Sequence, residues 1–159
     1  MLIRYRRTFP FPVGEAYAWL TDYQDDDPAR TGAIVKERPV LSRSENQVVL
    51  RGVLETLGRR WEGNAVVDLM PPDRWRATTR DARGRVRSVY DYRLEPADGG
   101  RASLLTVDYR FNVRRWRTRL TLLVARRAIV KEIDRMWDGF AAAMQRELRP
   151  GATVAPTAA

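Results

Sequence analysis

Hydrophobic positions along this chain keep two rhythms. From about Ala33 to Val113, apolar and polar residues alternate with a period of two, the spacing of half-buried β-strands. Over residues 117–148 the period lengthens: Ile129, Ile133, Met136, Trp137, Phe140, Met144 and Leu148 recur at steps of three and four, which puts them on one face of a long α-helix. A single helix cannot bury such a stripe against itself, so the preceding strands must supply the opposing surface. The pattern predicts an α+β domain in which a curved antiparallel sheet wraps a C-terminal helix.

Leu2 to Phe9 alternates Arg4 and Arg6 with Ile3, Tyr5 and Phe9, which fits a first strand. Pro10 and Pro12 end it, and Pro12 stands where a helix opens, ahead of Val13, Ala16, Tyr17, Trp19 and Leu20. A short helix over 13–21 follows, broken by Asp25, Asp26, Asp27 and Pro28. Three consecutive carboxylates with no further ligand near them read as a solvated turn or helix cap rather than a metal site.

Residues 33–41 and 47–56 read as strands joined through 42–46, and Leu57-Gly58 turns the chain into a strand over 59–70. In that run Trp61, Gly63, Ala65, Val67 and Leu69 share one face. Two of these are small, which leaves space above the sheet. After the turn Pro71-Pro72-Asp73, Trp75, Ala77 and Thr79 lie opposite Arg74, Arg76, Thr78 and Arg80. A turn at 81–84 leads to a strand over 85–94 with Val86, Ser88, Tyr90, Tyr92 and Leu94 inward. A turn at 97–100 leads to the last strand, 101–113, with Leu105, Val107, Tyr109, Phe111 and Val113 inward. Residues 149–159 have no periodicity and two prolines, so a mobile tail is expected after a single domain spanning 1–148.

Composition narrows the chemistry. A chain of 159 residues, 44% of them hydrophobic, fits one domain with a real core. With neither cysteine nor histidine, disulfides, thiolate and imidazole metal ligands, and Ser-His-Asp or Cys-His nucleophile pairs are all excluded. No cofactor or metal is expected. The start lacks the apolar run of a signal peptide, and the apolar runs, Leu122 to Ala125 among them, are far short of a membrane span. The expectation is a soluble, cytoplasmic protein.

The net charge of +9 invites a phosphate-bearing partner. However, 27 of the 29 basic residues are Arg and they are scattered over almost every element, which reads as coding bias rather than a built footprint. The exception is the segment 114–135, with eight basic residues against Glu132 and Asp134. With Trp116 it offers a patch for an anionic membrane surface; no specific nucleic acid is expected.

The order of elements and the stretch Pro10 to Asp22, Pro-Phe-Pro-Val-Gly-Glu-Ala-Tyr-Ala-Trp-Leu-Thr-Asp, resemble the START-like, Bet v 1-like superfamily (SRPBCC), the polyketide cyclase/dehydratase and lipid-transport group. The resemblance extends over residues 1–148, and the aromatic-rich final helix is its second mark. It implies a helix-grip: a bent seven-stranded antiparallel sheet closing on a long C-terminal helix, two short helices after the first strand, and an apolar cavity between sheet and helix. It also implies a hydrophobic ligand, a lipid, polyketide or aromatic compound, held by a carrier or sensor. The alternative it implies is an aromatase/cyclase or dehydratase. The family's cyclases draw on polar cavity residues, and without histidine an enzyme here would rest on Tyr and Arg, with Asp91 or Asp108 moving a proton. Both carboxylates fall on the predicted outer face.

The inward registers supply the candidate ligand-binding residues: Trp61, Trp75, Ser88, Tyr90, Tyr92, Tyr109 and Phe111 on the sheet, with Ile133, Trp137 and Phe140 on the helix. Each inward hydroxyl needs a partner or costs about 1–3 kcal/mol, so a polar-dotted pocket suits them better than a dry core. Arg126, a helical step before Ile129, is a candidate to pair with an anionic ligand group at the cavity mouth.

Overall fold

The computed structural model describes residues 1–31, 35–56, 59–81, 86–112 and 123–149; of Arg30, Val35, Lys36, 54–56, 59–61, Asp81 and Val86 it describes the backbone only. β1 (Leu2–Phe9) leads into α1 (Val13–Thr21) and α2 (Asp27–Thr31). Six strands follow before the last one: β2 (Val35–Glu37), β3 (Val40–Arg43), β4 (Gln47–Thr56), β5 (Arg59–Met70), β6 (Arg74–Asp81) and β7 (Val86–Ala97). A short 3₁₀ turn (Asp98–Gly100) then enters β8 (Ala102–Phe111), and α3 (Arg126–Leu148) closes the described chain. The strands form one antiparallel sheet in the order β1-β8-β7-β6-β5-β4-β2, with β3 also on β4.

Seven positions across the sheet are thus filled, the outermost by two short strands in place of the single strand expected over 33–41. The break falls at Arg38-Pro39. Proline lacks a backbone N–H and forces extended geometry on the residue before it, so the pairing with β4 is interrupted there, and the register shifts on either side of it, between Val35 and Glu37 and between Val40 and Ser42. The chain is held through the break by the Val40 amide donating to Asp25 Oδ1 at 2.7 Å and the Arg51 amide donating to the Pro39 carbonyl at 3.0 Å.

β7 runs three residues beyond its expected end. The extension includes Pro96, which β7 tolerates because β6 pairs no further than Arg93, leaving β8 as the only partner at that level. The hairpin turn that follows uses positive φ at Asp98, Gly99 and Gly100.

α1 begins and ends where the sequence pattern placed it. α3 is described from Arg126, and the expected start at Arg117 falls in 113–122, outside the described residues. Its stripe meets the sheet through Ile133, Trp137 and Met144, all buried, with Ile129, Met136 and Phe140 half-buried beside them; Leu148, at the last turn, is exposed. Phe9, Phe11, Val48, Val67, Leu94, Leu105, Val107 and Met144 are fully buried and form the centre of the core. Among the described residues, no helix is long and apolar enough to cross a membrane.

The expected tail does not start free. Arg149 donates to the Pro10 carbonyl at 2.9 Å and lies over the Phe11 ring, pinning the end of α3 to the β1–α1 corner. Residues 150–159 lie outside the described residues. The aspartate run is not all solvated: Asp27 is buried, opens α2, accepts from the Gln24 amide at 3.1 Å and pairs with Arg38. Arg38 in turn lies over the Tyr23 ring, and burial pushes the Tyr23 hydroxyl up to about 12.

The outer face carries cross-strand ion pairs, of which Arg4–Asp108 is bidentate at 2.7 and 2.8 Å. Hydrogen bonding to Arg4, backed by its charge, holds the Asp108 carboxyl below the ordinary aspartate range. A lowered folded value means that the pair contributes stability above the unfolded value of about 3.9 and loses it as pH falls through the lower folded value. In an NMR acid titration the Asp108 carboxyl is therefore expected to have a midpoint below about 3.9, and Arg4→Gln to move it up. An unchanged midpoint in the variant would show that the bond does not set it.

Candidate functional site

The alternation of β6, β7 and β8 sends one set of side chains toward α3. Trp75 and Tyr92, cross-strand partners, stack with ring centroids 4.8 Å apart and planes 3° from parallel. Tyr90 faces Tyr109 edge-on at 5.1 Å and Phe111 at 6.1 Å. From the helix, Trp137 contacts Tyr92, Phe140, Phe9 and Tyr5, and its indole N–H donates to the Tyr109 hydroxyl at 2.8 Å. That bond lets two amphipathic side chains satisfy each other away from water, in the middle of an otherwise apolar seam.

Ser88 is buried and shares a 2.6 Å hydrogen bond with Thr79. Ile133 is buried a turn before Trp137. Of the residues singled out from the sequence, the structure therefore brings Trp75, Ser88, Tyr90, Tyr92, Tyr109, Phe111, Ile133, Trp137 and Phe140 to the space where the sheet faces α3. The Trp61 side chain is outside the described residues. Arg126 is not brought in: it is the first residue of α3 and is exposed, since helical phase alone does not supply an opposing surface at a helix end.

Burial along this inner face is uneven. Trp75, Leu94, Leu105 and Val107 have almost no accessible surface, whereas Tyr90, Tyr92 and Phe111 keep some, as does Ile129. Yet burial pushes the Tyr90 hydroxyl up, tempered by Ser88, and raises that of Tyr92 strongly. Burial also raises the Tyr109 hydroxyl, against the lowering effect of the Trp137 bond. All three phenols stay protonated near neutral pH, so each keeps a neutral O–H.

The next strands over carry less side chain. Gly52 of β4 stands directly opposite Gly63 of β5, so two adjacent inward positions have none. Two concavities open at the surface, one beside α2 and one on the outer face of the sheet.

Two contributors were not singled out in advance. Tyr5 stacks on Trp137 with ring centroids 6.3 Å apart, and Tyr17 of α1 meets Trp75 edge-on at 5.8 Å. Tyr5 was in the inward set of the first strand, so its signal was present; Tyr17 needed the packing angle of α1. Neither carboxylate considered for proton transfer reaches this face. Asp108 is held by Arg4, and Asp91 by Arg76 and Arg110, all on the outer side. Among the described residues no cluster of acidic side chains is arranged to hold a metal ion.

No family model matches the sequence, and no curated protein sequence matches it. Solved structures do. Zhui aromatase/cyclase from Streptomyces sp. R1128 superposes with a TM-score of 0.71 at 15% identity, covering 97% of this chain and 99% of that one. TTHA0849 from Thermus thermophilus superposes with a TM-score of 0.70 at 17% identity, covering 91% and 97%. A START superfamily protein from Mycobacterium smegmatis gives 0.58 at 15%, covering 91% and 94%. At such identities the likeness speaks for the fold, and with the sheet order and gripped helix above it establishes that this chain has the START-like, Bet v 1-like helix-grip fold.

Proposed function

We propose that the protein binds a hydrophobic small molecule between the inner face of the sheet and α3, as a carrier or sensor. One observation carries this reading: Tyr90 and Tyr92 are embedded in protein and still keep accessible surface. The missing side chains at Gly52 and Gly63 widen the same face, and the surrounding Trp75, Phe111, Ile133, Trp137 and Phe140 make its walls apolar. A mostly apolar pocket with a few neutral hydroxyl donors suits a lipid, polyketide or aromatic compound bearing a carbonyl or hydroxyl. Trp61 belongs to this proposal by its place on β5, and Arg126 only as a residue near the mouth.

Native mass spectrometry of protein purified from its own host is expected to show a bound hydrophobic species, and Tyr90→Phe to weaken its retention without unfolding the protein. A protein that arrives empty and also ignores a panel of lipids and aromatics overturns the reading.

The likeness to an aromatase/cyclase supports a second reading, in which Tyr90 and Tyr109 polarise a ligand carbonyl. It lacks a proton-moving carboxylate on the inner face among the described residues. Turnover of a poly-keto substrate that falls with Tyr90→Phe, at unchanged affinity, would favour it over the carrier.

A further inference from the structure

Two rows of side chains cross the outer face of β6, β7, β8 and β1, and they differ in charge. The register places Arg76 opposite Asp91, Asp91 opposite Asp108 and Asp108 opposite Arg4. That row is neutral and its ion pairs close: Arg4 holds Asp108 with two bonds, Arg76 Nε donates to Asp91 Oδ1, and Arg110 lies 3.2 Å from the other Asp91 oxygen.

Two residues along each strand, Arg74 stands opposite Arg93, Arg93 opposite Thr106 and Thr106 opposite Arg6. This second row has three positive charges and no carboxylate. Like charges directly opposite on neighbouring strands destabilise a sheet. What relief exists comes from outside the row: Arg93 is 3.3 Å from Glu95 and Arg74 is 3.9 Å from Asp73. Arg6 has no ion pair or hydrogen bond among the described residues. The row thus has no carboxylate of its own, and its arginines are compensated only by single ion pairs from outside it, at Arg93 and Arg74, and not at all at Arg6 among the described residues.

The row lies in a concavity of about 340 Å³, bounded by both rows, by Met70, and by Trp75 and Tyr92, which stand between the two rows in the chain. Its lining holds five arginines against two aspartates, a surplus of three. That volume falls in the range of small-molecule sites, and neighbouring strands are about 4.8 Å apart, so the row runs about 14 Å from Arg74 to Arg6, a span that long arginine side chains reaching inward along the row can close around a phosphate-bearing ligand. A single carboxylate is satisfied by a single arginine, as Asp108 is by Arg4; three guanidinium groups, none held by a two-bond carboxylate pair like that one, and a threonine hydroxyl match the oxygens of a phosphate. Met70, 43% exposed at the edge, offers an apolar surface to whatever carries the phosphate.

We propose that the row Arg74, Arg93 and Arg6, with Thr106, is a binding site for a phosphate group borne by a small organic phosphate or a lipid headgroup. It lies on the opposite side of the sheet from the proposed hydrophobic site and stands whether or not that site is occupied.

The test uses the full chain, the double variant Arg6→Gln with Arg93→Gln, and a charge-matched control, Arg101→Gln with Arg135→Gln, whose arginines pair with Asp98 and Glu132 elsewhere on the surface. Each is titrated calorimetrically with inorganic pyrophosphate at low ionic strength, and co-sedimented with vesicles of phosphatidic acid or of phosphatidylcholine. The row variant is expected to lose roughly tenfold or more in affinity while the control stays within about twofold of the parent. Loss confined to the pyrophosphate arm identifies a free phosphate compound; loss confined to phosphatidic acid identifies a lipid headgroup. Equal losses in row variant and control, or no binding to either probe, overturn the proposal. The unliganded row variant is expected to melt no lower than the parent, because an opposed pair of like charges has been removed; should it fail to fold, Arg6→Gln alone serves the same comparison.

Discussion

Gly139→Ala is expected to lower the melting temperature by roughly 4–12 °C, although the same change in an open helix raises it. Gly139 lies in α3 where that helix passes α2. A methyl group there would overlap the Thr31 carbonyl oxygen and come within 3.0 Å of its carbon, so backbone has to move. α2 is poorly placed to yield. Thr31 is buried, its hydroxyl donates to the Asp27 carbonyl at 2.7 Å, and Asp27 is itself paired with Arg38. Overpacking of this kind costs about 1–3 kcal/mol, and sometimes more.

The matched control is Gly14→Ala in α1, where nothing lies within 4 Å of the added carbon. There the gain in helix propensity of about 0.5–1 kcal/mol stands unopposed, and the melting temperature should rise. Thermal unfolding of the two variants side by side checks the claim. Shifts of the same sign would mean that α2 does not press on α3 as described.

Trp137→Ala is expected to cost about 3–5 kcal/mol, a large share of the total stability of a domain this size. The side chain is 3% exposed and joins β1, β7 and α3 through its ring contacts with Tyr5, Phe9, Tyr92 and Phe140. Trp137→Phe separates packing from hydrogen bonding. It keeps an aromatic ring in the seam and strands the Tyr109 hydroxyl, at about 1–3 kcal/mol. Adding Tyr109→Phe removes the stranded group, so the double variant should be less destabilised than the two single changes summed. Urea unfolding of the four proteins measures this. Strict additivity would show that the Trp137–Tyr109 bond contributes nothing beyond packing.

Much of the site could be read in advance because it rests on alternation. Once Leu105 and Val107 face the core, Tyr109 and Phe111 must share their face, and Tyr90 and Tyr92 follow from Leu94 in the same way. What alternation does not give is contact. The Trp137–Tyr109 bond joins residues 28 apart in the chain, and Tyr17 reaches Trp75 from a helix whose packing angle no local pattern encodes. Arg126 failed for a related reason: its helical phase is right, but phase describes a direction and not whether anything lies there.

The sequence by itself determined the bounds of α1, β4 and β5 and the inner and outer faces of the strands, because these follow from backbone geometry repeating every two or 3.6 residues and from the turn residues between the repeats. Only the tertiary structure decided the register of β1 on β8, and with it the Arg4–Asp108 pair across 104 residues and the charged row beside it. It alone decided the close crossing at Gly139 and the break at Arg38-Pro39. Each of these depends on which residues from distant parts of the chain come to lie opposite one another, and a one-residue slip in strand pairing, invisible to local periodicity, would have changed all the partners.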